Sequence, residues 1–262
     1  MTKVSTITPC YNMKKYMGGF LRNLRLQTHE DLEIVIDHNA PDPKEIELIN
    51  RHNEKYDNVT HIKVEDGVDP IGISMNRCIE YASGDYLCIW NVDDLRTAES
   101  IEIMARTLDE NPDVGFVYGN FEIVNEFETF NGRLVDETGK EEYLTKGMIL
   151  GPFFMFRKSC IETSGVFDEQ LVSGADFDLA LRLAYNHKGL HIPEVLGYYL
   201  DEGLGASTRP NSKQALERTV IELRYGLNVL EPHLIPEAKK YDTENIIVNQ
   251  EKTPAKDYVP SN

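Results

Sequence analysis

Residues 86–94 read Tyr86-Leu87-Cys88-Ile89-Trp90-Asn91-Val92-Asp93-Asp94, an apolar run that ends in two adjacent carboxylates. Leu87 to Trp90 are continuously apolar rather than alternating, the pattern of a strand covered on both faces. Asp93 and Asp94 then stand where that strand leaves its sheet. Neighbouring negative charges repel, and a compensating cation is the simplest physical reason to keep them together. Hard oxygen ligands of this kind suit Mg²⁺ or Mn²⁺, with phosphate oxygens completing the shell. A solvated turn before a helix, with a carboxylate near the positive end of the helix dipole, accounts for the same residues. On these residues alone the two readings stand level.

The stretches upstream shift that balance. Val4 to Thr8 is a β-branched strand stopped by Pro9, and Lys14 to Gln27 has helical spacing at Tyr16, Met17, Phe20, Leu21 and Leu24. Gly18 and Gly19 weaken that helix and point to a close neighbour. Leu32 to Ile36 is a second strand, ending in the polar turn Asp37-His38-Asn39-Ala40-Pro41-Asp42. Pro43 suits the first turn of a helix running to about Tyr56. A strand over Val59 to Val64, a helix over Ile71 to Tyr81, the Tyr86–Trp90 strand, a helix over Ala98 to Asn111 and a strand over Val114 to Tyr118 follow. This alternation predicts an α/β fold with a Rossmann-like, mostly parallel sheet flanked by helices. Ligands of such sheets bind outside the carboxyl ends of the strands. Pro9 to Asn12, Asp37 to Asp42 and Asn91 to Asp94 all occupy such ends. Three coincidences favour the site reading of the Asp pair.

Beyond residue 120 the pattern weakens. Asn131-Gly132 predicts a hairpin turn, and Gly151 to Phe156 a strand. The helix from Phe177 to Tyr185 places Asp176 at or just before its N-terminus, where an N-cap role explains it without catalysis. Asp178 is either a partner of Asp176 or an exposed first-turn carboxylate facing the helix dipole. Arg157 and Arg182 are expected to pair with buried carboxylates, Trp90 to pack in the core, and Tyr198 and Tyr199 to line a cleft or pack within a strand. Leu190 to Ile192 and Val195 to Leu200 are expected as short strands, Asp201 to Ser212 as a mobile flap, and Ala215 to Leu230 as an amphipathic helix. The domain expected over residues 1–230 has a nucleotide-binding half (1–120) and a mixed acceptor half (121–230). Residues 231–262 are expected to be a loosely packed polar tail.

The 262 residues carry 27 Lys plus Arg against 44 Asp plus Glu, a formal net charge of −17. A field of that sign disfavours nucleic acid and anionic membranes as partners. A phosphorylated substrate would therefore need a local metal ion or a local basic patch. No apolar run approaches the ~18 residues of a membrane span, and the N-terminus lacks a signal-peptide pattern. Cys10, Cys78, Cys88 and Cys160 fit neither a zinc motif nor a disulfide framework, so reduced, buried thiols in a cytoplasmic protein are expected. No two of the seven histidines have metal-ligand spacing, and each reads as a surface or packing residue. Internal repeats and GxGxxG, Walker-A and His-Glu-x-x-His patterns are absent.

Several segments, taken in order, resemble the family 2 glycosyltransferases of the GT-A fold. Ser5-Thr6-Ile7-Thr8-Pro9-Cys10-Tyr11-Asn12 is similar to the family's first strand, and Leu26-Gln27-Thr28 and Leu32-Glu33-Ile34-Val35-Ile36-Asp37 follow its pattern. Asn91-Val92-Asp93-Asp94 stands at its Asp-x-Asp-Asp metal motif. Gly151 to Arg157, Gly165 to Glu169, and Gly174-Ala175-Asp176-Phe177-Asp178-Leu179-Ala180-Leu181-Arg182 resemble its acceptor-side segments. The resemblance implies an inverting, metal-dependent transfer from a nucleotide-diphosphate sugar, UDP favoured, to a glycan or other hydroxyl acceptor. By the same resemblance Pro9 and Tyr11 border the base, Asp37 meets base or ribose, and Asp93 contacts ribose or metal. Asp94 holds the Mn²⁺ or Mg²⁺, and Asp176 is the catalytic base. Asn91 replaces the usual first Asp, Ala175 a common Glu, and Asp37-His38-Asn39-Ala40 the usual Asp-Asp-Gly-Ser; Met75-Asn76 lacks the Arg often found there. A catalytically degenerate binding module is the alternative those departures raise. A sugar nucleotidyltransferase ranks low, because Pro9 to Asn12 lacks a glycine-rich basic loop.

Overall fold

A computed structural model describes residues 2–148, 150–203, 205 and 210–260. The first half alternates as its hydrophobic pattern predicts: β1 (Val4–Cys10), α1 (Met17–Leu24), β2 (Leu32–Asn39), α2 (Pro43–Tyr56), β3 (Val59–Val64), α3 (Ile71–Tyr81) and β4 (Tyr86–Ile89). A short β5 (Leu95–Arg96), α4 (Ser100–Glu110), β6 (Val114–Val124) and β7 (Arg133–Val135) follow. The second half adds β8 (Phe154–Arg157), α5 (Ile161–Ser164), α6 (Ala175–Asn186), β9 (Lys188–Leu200), α7 (Gln214–Arg224), α8 (Ile235–Ala238), β10 (Asn245–Val248) and β11 (Glu251–Pro254).

The main sheet runs β3-β2-β1-β4-β8-β6-β9-β5, with β7 on β6. Its first four strands are parallel, so β2, β1 and β4 end side by side. β8 enters antiparallel to both β4 and β6, while β6 and β9 pair in parallel. Strand alternation divides the core in two. Val4 and Cys10, Ile34 and Ile36, and Tyr86, Cys88 and Trp90 pack on the side of α1, α2 and α4. Ile7, Val35, Leu87 and Ile89 pack on the side of α3, α6 and α7. Trp90 is a core residue, as expected. All four cysteines are free and buried. Among the described residues no helix is long and apolar enough to cross a membrane.

Helix α2 starts where its sequence says. Asp42 caps it, Pro43 occupies the first turn, and Glu45 reaches back to the Asp42 amide in a capping box. Gly19 is held to glycine by packing, since a Cβ there would lie 2.4 Å from the Phe127 ring.

Several expectations are corrected. The hairpin expected at Asn131-Gly132 is formed by β6 and β7, with Ile123 paired to Arg133, though its connection is longer than that dipeptide. Leu190–Ile192 and Val195–Leu200 belong to one irregular strand, β9. Helix α7 stops at Arg224, where Gly226 turns the chain with φ 64°. The flap expected over Asp201 to Ser212 falls in part outside the described residues. The described residues beyond 231 are not a loose tail throughout: β10 and β11 form a hairpin with Ile246 and Ala255 buried. The Ile247 carbonyl accepts the Glu169 amide, and the Ile247 amide donates to Asp168.

That attachment centres on charges hidden from water. Asp178 is neither exposed nor turned to Asp176: it pairs with Arg182 at 2.8 Å and Arg224 at 2.9 Å. Arg224 also pairs with Asp168 at 2.7 Å and donates to the carbonyls of Asp242 and Asn245. Burial pushes the Asp178 carboxyl up, but Arg182 and Arg224 outweigh it and hold it below the ordinary value. Arg157, by contrast, binds the carbonyls of Leu108, Asn111 and Val114 rather than a carboxylate. Breaking a buried pair from one side leaves an uncompensated charge, at about 3–5 kcal/mol. Arg224→Ala should lower the urea midpoint accordingly, whereas the surface substitution Lys188→Ala should barely move it.

Candidate active site

The carboxyl ends of β2, β1 and β4 gather the predicted polar clusters in one row. Pro9 lies opposite Asp37 in the β1–β2 ladder, and the Trp90 amide donates to the Ile7 carbonyl across β1–β4. Tyr11, just past β1, is 51% exposed and free to receive a flat ring.

The turn after β4 is built from both sides. The Trp90 indole N–H donates to the Asp94 carbonyl at 3.1 Å. Arg96 is buried, stacks between the Trp90 and Phe153 rings, and donates to the Ile89 carbonyl and the Ser100 hydroxyl. Asn23 of α1 fastens the Arg96 backbone through both its amide and its carbonyl. Asp94 is thereby fixed: Oδ1 accepts from the Leu200 amide at 3.2 Å and Oδ2 from the Asn91 amide group at 3.1 Å. Asn91 thus supplies a donor where a third carboxylate would add repulsion.

Burial, then the adjacent Asp93, pushes the Asp94 carboxyl up to about 8. Asp93, half-buried, is also raised, by burial first and then by Glu202. Among the described residues no Lys or Arg forms an ion pair with either carboxylate. The buried Arg96 opposes the rise at Asp94 only as a minor influence, and two hard-oxygen donors with no ion pair among the described residues fit a divalent metal of the Mg²⁺ or Mn²⁺ type.

Asp37 lies opposite Pro9 toward the carboxyl end of β2. It points to the α3 side, fully buried, with both oxygens 2.9 Å from one Arg77 nitrogen, and Arg77 also holds Asp69 at 2.6 Å. Arg77, partly exposed, is what this corner presents to solvent. Asp176 is the second residue of α6, not its cap, which is Gly174. Its side chain reaches solvent through a crowded surround; desolvation raises its carboxyl, and Glu217 adds to that. Among the described residues no hydrogen bond or ion pair links it to Asp93 or Asp94.

Sequence reasoning missed Arg77, Arg96 and Glu217. Glu217 of α7 is buried, and its carboxylate accepts from the amides of Val172, Ser173 and Gly174 at 2.7–3.1 Å. It therefore sets the loop from which Asp176 emerges. Nothing near residue 174 in the sequence signals a partner 43 residues away. Glu202 joins Lys15 at 2.6 Å and the Tyr16 hydroxyl at 3.0 Å, bringing the end of β9 onto α1.

The family model for Glycosyl transferase family 2 matches residues 5–165. The chain belongs to that family. It is 25% identical over 241 residues to an uncharacterized glycosyltransferase of Methanocaldococcus jannaschii, covering 88% of this chain and 79% of the relative. Among solved structures, Staphylococcus aureus TarS in complex with UDP-GlcNAc superposes with TM-score 0.69 at 19% identity, covering 88% of this chain and 69% of that one. A mannosyltransferase of Pyrobaculum calidifontis with GDP-Man and Mn²⁺ gives TM-score 0.58 at 16% identity, covering 92% and 65%. These likenesses show the GT-A fold, and the protein is a glycosyltransferase.

Two predictions follow from the geometry. Asp94 binds its proton more tightly folded than unfolded, so between about pH 4 and its raised value near 8 it makes the folded chain less stable as pH rises. In metal-free buffer, Asp94→Asn should flatten the fall in melting temperature over that window, and added Mn²⁺ should stabilise only the parent chain near pH 8. Glu217→Ala should cut turnover at least tenfold while leaving nucleotide affinity within about threefold, with Glu217→Gln intermediate, measured by initial rates and titration.

Proposed function

We infer that the enzyme transfers a sugar from a nucleotide-diphosphate donor to an acceptor hydroxyl with inversion, assisted by a divalent metal. The pair of carboxylates at the end of β4, without an ion-pair partner among the described residues, carries this reading. Asp94 and Asp93 are the residues to hold the metal, with Asp93 also in reach of the ribose. Bound there, Mn²⁺ or Mg²⁺ supplies neutralisation of the diphosphate as it leaves.

The chain's own residues do the rest. Tyr11 offers an exposed ring to the base and Pro9 shapes the wall beside it. Asp37 belongs to the base subsite through Arg77, whose position its buried carboxylate sets. The Asn91 amide and Leu200 N–H orient Asp94, so its oxygens arrive ordered at the site. Asp176, exposed at the start of α6 and raised above an ordinary carboxyl, is suited to accept the acceptor's proton. A single base opposite the leaving group gives inversion. UDP is favoured, as TarS is solved with UDP-GlcNAc; the mannosyltransferase's GDP-Man makes GDP the first competitor. The acceptor is a glycan or other hydroxyl compound, chosen by residues 121–146 and the segment after β9.

Thermal shift with UDP, GDP, dTDP and CDP, each with and without Mn²⁺, tests the donor site. A ligand at 100 times its dissociation constant adds about 2.7 kcal/mol, worth about 5 °C or more here. A Mn²⁺-dependent shift with one diphosphate should vanish in Asp94→Ala. Asp176→Asn should keep the shift and lose transfer; transfer that survives it would remove Asp176 as base.

A further inference from the structure

Away from Asp93 and Asp94, a second group of ligand-bearing side chains is closed inside the α1–α2 face. Cys10 ends β1, His38 lies directly opposite it on β2, and Glu45 stands in the first turn of α2. One ligand atom from each lies within 4.8 Å of the others, and all three residues are at most 2% exposed. The three come together because parallel pairing aligns Cys10 with His38 and the capping box folds Glu45 back over them. We propose that Cys10, His38 and Glu45 bind a zinc ion.

The chemistry of the donor set separates this site from the one at β4. Thiolate, imidazole and carboxylate are the donors zinc takes, whereas two carboxylates suit harder cations. Zinc bonds of about 2.0–2.3 Å put tetrahedral donors about 3.3–3.8 Å apart, so the widest pair closes by about 1.5 Å at most. Charge balances as well. A dication with one thiolate, one carboxylate and a neutral imidazole is neutral, the condition a buried site requires. Glu45 otherwise lacks a cation: among the described residues its one ion-pair partner is His38, and its Oε1 is buried with no hydrogen-bond partner. That oxygen is available as a further donor.

The surroundings hold the histidine ring in place. Its Nε2 faces Glu45 Oε2 at 3.2 Å, and its Nδ1 lies 3.1 Å from Nε2 of His61 on β3. With zinc on Nε2, the ring carries its proton on Nδ1 and donates it to His61, an outer partner that orients the ligand. On binding, the Cys10 S–H bond breaks, its electron pair goes to the metal and its proton leaves to solvent. The ion would tie β1, β2 and α2 together immediately behind Tyr11, stiffening the wall of the base subsite. It would do so whatever the donor nucleotide is.

The test uses tag-free full-length protein, stripped with chelator and titrated with Co²⁺ as a spectroscopic probe. A near-ultraviolet sulfur-to-cobalt charge-transfer band should saturate at one equivalent and be abolished by one equivalent of Zn²⁺. Cys10→Ser should lose the band, His38→Gln should weaken Co²⁺ binding at least tenfold, and Asp94→Asn should leave the band unchanged. Absence of the band in the parent chain, or its survival in Cys10→Ser, overturns the proposal. Should Cys10→Ser lose its far-ultraviolet dichroism, Glu45→Gln replaces it: unchanged Co²⁺ affinity there overturns the proposal, and a tenfold loss supports it.

Discussion

Asp168, Asp178, Arg182 and Arg224 form a line of alternating charges with no access to water, and the second half of the chain is arranged around it. Each charge comes from a different place: the loop after α5, the first turn of α6, its middle, and the end of α7. Arg224 carries the line outward to the carbonyls of Asp242 and Asn245, so the C-terminal hairpin docks through it. Burying four charges costs desolvation that their attraction only partly repays, so the cluster acts chiefly through its geometry. The arrangement of α6, α7 and the hairpin pairs each of these charges with an opposite one, and it leaves Asp176 facing solvent.

The parallel half obeys a simpler constraint. Side chains alternate across each strand, so neighbouring residues of β1 and β2 serve opposite faces. Cys10 and His38 go toward α2, while Asp37 goes toward α3 and meets Arg77. At the end of β4 the same rule puts Trp90 under Arg96, and the guanidinium stacked on that ring braces the turn bearing Asp93 and Asp94. The two candidate regions are thus held differently: the turn bearing Asp93 and Asp94 by aromatic stacking and backbone contacts, the loop before Asp176 by the Glu217 carboxylate that gathers three amides.

How much of this was legible in the sequence depended on whether the controlling contact was local. The strand–helix alternation through residue 118, the Asp42 to Glu45 cap with Pro43, and the carboxyl-end clusters all follow from neighbours a few residues apart. Asn131-Gly132 marked the β6–β7 hairpin but not its length, because a turn dipeptide says nothing about how long the connection is. Asp178 misled because its first-turn position suits an exposed carboxylate, and the partner that buries it, Arg224, lies 46 residues on. The hairpin beyond residue 244 was unreadable for a related reason: its polar sequence has few apolar residues to bury and is held by hydrogen bonds to Asp168 and Glu169.

The sequence by itself determined the class of fold, the family, and the residue types at the ends of β1, β2 and β4, because hydrophobic periodicity and short motifs are properties of adjacent residues. Only the tertiary structure decided that Asp37 stands behind Arg77, that Glu217 sets the loop before Asp176, and that Cys10, His38 and Glu45 share one enclosure. Those are relations between distant segments. They exist once strand register and helix docking bring the segments within the few ångströms over which a hydrogen bond, an ion pair or a metal acts.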